Sequence, residues 1–413
     1  GVSTFDYTTI WWVGGNDNTA APSAVQYYAT LNVTIVTGNT GTTLAATTAN
    51  QPMQFAPFNN NDQLLLKNQR DLWVIQSGHV TKVADDRYPT YTVPGLVTLG
   101  GYAYVMDPTG LIRNCALSDP YSWPLLNVLG ADYEADPGVA LCKYLNYVVA
   151  FGTYTLQFFY DAGVINGSPL KPYLNANMRV GCASAASVVN IGPTIAWVSR
   201  TLEFNRQVMI FNGLTPQVIS TPGIDKLLNG GDYDEVAAFA AYSYGHLWYV
   251  LYGATGNSLA YDFSTKQWYE WSNTAGTGPF AFAAACSNGN QQGYFLLDQT
   301  NGDIYRFDGS YNDDDGTPFT VTLLTGLIDF GNNVSKFMGP LTVIGDHQAS
   351  TPSISWTDDD YTTFVTARTV NMSTQRPILY RNGKTRRRAY VYVQTDSVPM
   401  RLEALEQQFE QGQ

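Results

Sequence analysis

Histidine, the side chain best suited to proton transfer near neutral pH, occurs three times in 413 residues, at His79, His246 and His347. The three share no metal-ligand spacing, so each reads as a surface or satisfied core residue. Carboxylates are the other chemical option, because a glycoside-cleaving site needs only two suitably placed acids. Asp85 and Asp86, Asp132 to Asp136, and Asp232, Asp234 and Glu235 are the candidates. All lie in turn-rich stretches where acids ordinarily act as solvated turn formers, and no catalytic pair is assigned. Asp313, Asp314 and Asp315 suggest calcium, but the position five before Gly316 is Tyr311, so the EF-hand spacing fails. Cys115, Cys142, Cys182 and Cys286 form no CxxC pair and read as buried free thiols. No GxSxG, HExxH, Walker or GxGxxG-plus-acid motif is present, so no catalytic residue, metal site or cofactor site is assigned.

Two further clusters are less ordinary. Residues 357–364 resemble a degenerate Asp-box (Ser/Thr-x-Asp-x-Gly-x-Thr-Trp), with Thr357, Asp359, Thr363 and Phe364 in place and Tyr361 where glycine belongs. Such boxes are hairpin turns, so this one marks a turn. Residues 381–388 carry five cations: Arg381, Lys384, Arg386, Arg387 and Arg388. A phosphate patch is one reading. The preferred one is a polar edge or subunit contact, in which Arg386, Arg387 and Arg388 meet the carboxylates of a neighbour.

The elements that must position these residues are short. Gly 37 and Pro 20 punctuate the chain too often for long helices, and 14% charged residues against 45% hydrophobic and 14% aromatic fit an ordered β protein. Taking one central aromatic from each recurring strand–turn–strand unit gives Trp73, Tyr104, Tyr147, Trp197, Trp248 and Tyr294. Their separations of 31, 43, 50, 51 and 46 average about 44, the length of one propeller blade. Hairpins are expected at 208–219 around Asn212-Gly213, at 258–271 around a four-residue turn, and at 294–308 around Asn301-Gly302. The fold class expected is all-β, a propeller of about six blades over 51–311, with its aromatics filling the gaps between blades.

The stretch 311–318, with three adjacent aspartates beside Gly and Pro, reads as a linker, and 317–413 as a separate β platform or sandwich domain. Leu402, Leu405 and Phe409 at helical spacing predict a short helix over 400–409. Residues 1–50 read as a β segment with a strand over 28–36, packing with the C-terminal domain. The opening GVSTFDYTTIWWVGG has neither Met nor leader, so the reading is a soluble chain, processed or incomplete at its start.

The sequence from Ser355 through Phe364, the Arg-rich stretch about twenty residues later, the alternating run Ala389 to Pro399 and the final Leu402 to Leu405 together resemble a known pattern. It is similar to the C-terminal pattern of tail nozzle proteins of short-tailed bacteriophages, also called packaged-DNA stabilisation proteins. The resemblance implies a virion protein: a homo-hexamer ringing the channel below the portal and its adaptor ring. Such a ring closes the channel after packaging and conducts double-stranded DNA at ejection. It also implies tail fibres or spikes as partners and no catalytic residues.

Charge agrees for independent reasons. The net charge is −12, and 15 basic and 30 acidic residues precede position 376. Such a body repels a polyanion and does not grip it. Asp313, Asp314 and Asp315 are expected as an acidic loop facing the channel. The competing reading is a carbohydrate-binding or glycoside-hydrolysing propeller that uses exposed aromatics and a pair of acids.

Overall fold

A strand buried on both faces has no polar side to present and reads as an unbroken apolar run. Thr194–Arg200 and Tyr147–Gly152 are such strands, and each divides its side chains between two cores. Val148 and Ala150 face one cluster while Val149 and Phe151 face the next; Ile195 and Trp197 share the latter, and Ala196 and Val198 face a third. The computed structural model describes residues 32–37, 40–45 and 54–412, apart from 61, 78, 165, 204, 231–235, 244, 254–255, 274–277, 281, 288–293, 299–302 and 308–309. The chain divides into two compact units, Gly1–Asn273 with Gly278–Asp308, and Thr274–Thr277 with Gly309–Gln413.

The first unit is a run of antiparallel meanders over 54–82, 97–130, 138–172, 181–218, 237–271 and 282–307. Four have four strands in sequence order; the fourth has an extra short strand, and the sixth shows three. The opening strands of successive sheets lie side by side, Gln54–Phe58 by Val97–Leu99 and Ala237–Ser243 by Phe282–Ser287. Between each sheet and the next lies an apolar seam. The first holds Leu65, Val74, Val105 and Trp123, the third Phe151, Phe158, Trp197 and Phe211, and the last Phe239, Tyr252 and Leu296. This is the blade architecture expected from the repeats, with aromatic rings meeting in the gaps: Trp197 lies 4.6 Å from Phe211 and 5.4 Å from Phe151, centroid to centroid. Each blade buries on its neighbours the faces it cannot bury alone.

The expected hairpins have their turns where glycine or a left-handed residue permits them. Asn212 pairs with Thr215 across Gly213, whose φ of +63° suits a tight turn. Asp262 pairs with Gln267 across four residues closed by Lys266 at φ +57°. Tyr294–Asp298 pairs with Ile304–Phe307, and the connecting Asn301-Gly302 lies outside the described residues. A helix at Pro222–Leu228 was not expected. Thr221 accepts the Ile224 amide at its N-terminus, Pro222 starts the first turn, and Ile224 and Leu228 drop into the seam between the fourth and fifth sheets.

The second unit is a sandwich of two sheets. In one, Ala389–Gln394 and Ser353–Thr357 are central, with Val321–Leu324 and Arg368–Thr369 at the edges. In the other, Lys336–Gly345 is central, with Leu402–Gln411 on one side and Ile378–Leu379 and Lys384–Thr385 on the other. Leu341, Val343, Ile354, Trp356, Tyr390 and Tyr392 fill the space between.

The expected helix over 400–409 is absent; Leu402–Gln411 is a ten-residue strand. Its inner face carries Leu405, Gln407 and Phe409, with Glu406, Gln408 and Glu410 exposed, a period of two. A bulge opposite Gly345 shifts the register near Leu402, so the apolar residues imitate helical spacing. An isolated helix of ten residues would be marginal, while pairing along Lys336–Gly345 satisfies the backbone, and tertiary pairing wins. At the start, Asn32–Thr37 pairs with Thr40–Ala45; the expected packing of residues 1–50 on the C-terminal domain lies outside the described residues.

Candidate functional site

Of the five cations in 381–388, Arg388 is the one the fold has absorbed. It is 1% exposed, and its Nε and Nη2 donate to the two carboxylate oxygens of Asp358 at 2.7 and 2.8 Å. Its Nη1 donates to the Asn382 carbonyl at 2.7 Å, and its guanidinium lies 4.6 Å from the Trp356 ring centroid. A planar fork meeting a carboxylate on one edge and an aromatic ring on its face is a geometry lysine cannot copy. Arg388 therefore fastens the sandwich from within and has no donor edge to spare for a neighbour. Arg387 is exposed and pairs with Asp360, and Arg386, Arg381 and Lys384 are exposed as well.

The Asp-box residues form the turn their types imply. Asp359 accepts the Thr357 hydroxyl at 2.8 Å, the Thr363 amide at 2.9 Å and the Thr363 hydroxyl at 2.6 Å. The Thr363 and Thr357 donors hold its carboxyl down at about 2. Tyr361, standing where glycine is usual, takes φ +67° and ties its hydroxyl to the Thr325 carbonyl at 3.1 Å. The turn keeps its shape by placing a bulky residue in the left-handed region, at a steric cost of about 1 kcal/mol.

Asp85, Asp136 and Asp313 serve the backbone. Asp85 accepts the amides of Trp123 and Arg87 at 2.7 and 2.9 Å, and the Trp123 amide holds its carboxyl below the usual range. Asp136 accepts the amides of Tyr154 and Thr155 and the Thr155 hydroxyl, and Glu134 pairs with Arg179 at 2.7 Å. Asp232, Asp234 and Glu235 lie outside the described residues. Asp313 accepts the Gly316 amide, and Asp314 and Thr317 exchange backbone bonds, so 313–317 is an exposed tight turn. Among the described residues no three His, Cys, Asp or Glu side chains converge as a metal site. Burial pushes the Cys115 and Cys182 thiols up to about 12, away from nucleophile chemistry.

Sequence reasoning missed the buried cations. Lys67, 1% exposed, donates to the Val93 carbonyl at 2.8 Å, and burial lowers its ammonium to about 7. Lys336, fully buried, donates to the carbonyls of Asn332, Val334 and Arg386. Neither carries a local signal, since each stands in a strand as a single Lys whose partners are backbone carbonyls and, for Lys67, the Gln54 side-chain oxygen. Asp358, the partner of Arg388, was passed over for its Asp-box neighbour Asp359.

A run of aromatic-seamed antiparallel meanders defines an all-β protein of the β-propeller class. The family model described as "Bacteriophage P22 Gp10, beta-propeller" matches residues 28–310, and the chain belongs to that phage stabilisation family. It is thereby a member of a family of bacteriophage structural proteins. No curated protein matches the sequence. Among solved structures, the chain is similar to BamB from Moraxella catarrhalis at 10% identity, over 83% of this chain and 96% of that one, with a TM-score of 0.36. A chain from the crystal structure of a mitotic checkpoint complex is similar at 12% identity over 61% and 74%, with a TM-score of 0.41. Likenesses this distant add nothing to the functional argument.

Proposed function

We propose that the chain is a subunit of the tail nozzle of a short-tailed phage. Six copies ring the channel below the portal and its adaptor, hold the packaged DNA in place, and conduct it outward at ejection. The observation that carries the reading is the family match over the propeller. The C-terminal motifs and the charge distribution support it.

The physical logic is that of a conduit. A duplex must pass without sticking, so an acidic wall serves better than a basic one. The turn at 313–317 is exposed and acidic, and on this reading Asp313, Asp314 and Asp315 contribute to that wall. Blades locked through aromatic seams resist deformation because close-packed interiors are poorly compressible. The exposed Arg386 is left to meet a neighbouring copy, with Arg387 beside it on Asp360, and the adaptor ring and tail fibres or spikes are further partners on this reading. The subunit performs no chemistry of its own.

The test is complementation. DNA-filled particles lacking this protein should leak genome, and adding the purified chain should stop the leak and restore infectivity. Particles that retain DNA without the chain, or still leak after binding it, would contradict the proposal.

A further inference from the structure

The C-terminal sandwich has two unlike sides. On one side lie the edge strands Val321–Leu324 and Leu402–Gln411, and neither pairs outward among the described residues. Between them opens a groove of about 400 Å³ lined by Leu323, Ile328, Phe330, Tyr392, Leu402 and Leu405 among others. Leu323, Leu324 and Ile328 stand exposed at its rim. Glu403, Glu406 and Glu410 are exposed along the strand beside it. At the start of that strand Arg401 is engaged by Asp346 and Glu403 at 2.8 and 3.1 Å, and at its end Lys384 lies across Phe337 from Glu410.

The opposite side carries the other two edges, Arg368–Thr369 and the pair Ile378–Leu379 and Lys384–Thr385. They are bound to each other there, because Arg368 Nη2 donates to the Tyr380 carbonyl at 2.6 Å. This side presents exposed Arg376, Arg381, Lys384, Arg386 and Arg387, and of the acids near them Asp360 is taken by Arg387 and Asp358 by Arg388. In its midst Tyr380 is 59% exposed.

We infer that the acidic, grooved side of one sandwich receives the basic side of a second copy, with Tyr380 seated in the groove and Arg381 and Arg386 facing Glu403 and Glu406. The groove and Tyr380 lie on strands at opposite sides of Lys336–Gly345, so Tyr380 does not fill the groove of its own chain. Between copies they meet head to tail, and a head-to-tail contact repeated by rotation closes a ring. Unpaired strand edges, an apolar groove and complementary charge together make a contact that fixes register as well as affinity. Tyrosine and arginine are the residues that most often anchor such contacts. The inference rests on the proposed ring-forming function and names the surface that closes the ring.

The experiment uses the full chain at physiological salt, read by mass photometry and sedimentation velocity. One variant carries Glu403→Lys and Glu406→Lys, a second Arg381→Glu and Arg386→Glu, and a third Tyr380→Ala. All these positions are exposed, and unchanged melting curves would show that the fold is intact. Each variant alone should need about tenfold or more protein to reach half assembly. An equimolar mixture of the two charge variants should assemble again, since one presents two basic sides and the other two acidic ones. Assembly of every variant at the wild-type concentration would overturn the inference while leaving the ring intact, and would assign the groove to a different protein. Failure of the mixture to recover would overturn the pairing. A wild-type chain that stays monomeric would instead overturn the ring itself.

Discussion

Arg388 shows how a charge cluster divides once it is folded. Five cations in eight residues look alike in sequence, yet one is sealed against Asp358 and Trp356 and the others face solvent. Arg388→Met should therefore destabilise the C-terminal domain by about 2 kcal/mol in urea unfolding. That is the low side of the cost of breaking a buried pair, because Asp358 is 35% exposed and can rehydrate. Arg386→Ser should leave stability unchanged within about 0.5 kcal/mol, as an exposed substitution does. Equal effects of the two would contradict the assignment. Lys67 carries a pH signature. Its ammonium titrates near 7 in the folded chain and near 10.5 when unfolded, so between those values the unfolded state binds more protons. Stability should then rise with pH from about 7 to about 10 relative to the Lys67→Met variant, and the difference should be flat below 7. Thermal melts of both proteins across that window check it. Which cation is sealed was not legible in sequence, because burial depends on partners such as Val93 and Asn382 that are distant or themselves unremarkable.

At the scale of elements, blade strands were readable because both of their faces are buried and their turns carry Gly213 or a four-residue loop. The spacing of Trp73, Tyr104, Tyr147, Trp197, Trp248 and Tyr294 located all six sheets, since each sits in a strand of a different one. The short helix at Pro222–Leu228 escaped because seven residues are too few for a period to register, although Thr221-Pro222 was a usable start signal. The terminal strand escaped for the opposite reason, as a bulge gave strand residues a helical spacing. Amide exchange tests that correction. A helix would protect consecutive amides, whereas an edge strand leaves alternate amides of Leu402–Gln411 unpaired and fast-exchanging. The seams are equally testable. Trp197→Ala removes the ring that packs against Phe151 and Phe211 and should cost about 3–5 kcal/mol. A loss under about 1 kcal/mol would mean that the third and fourth blades do not depend on their shared aromatics.

At the scale of the whole molecule, the propeller and the acidic balance were both available from composition and repeats, and the family match over 28–310 gives them a biological setting. Assembly is less legible, because a ring depends on surfaces that one chain presents and does not itself fill. The acidic body predicts that duplex DNA binds more weakly than about 100 µM at physiological salt by fluorescence anisotropy, outside the usual range of non-specific binders. Tight, salt-sensitive binding would argue against a frictionless wall. The most direct measurement of the central claim is electron microscopy of the purified full chain at physiological ionic strength. Rings of six copies around an open axis are the predicted result. Monodisperse single subunits that bind or cleave a polysaccharide would contradict it.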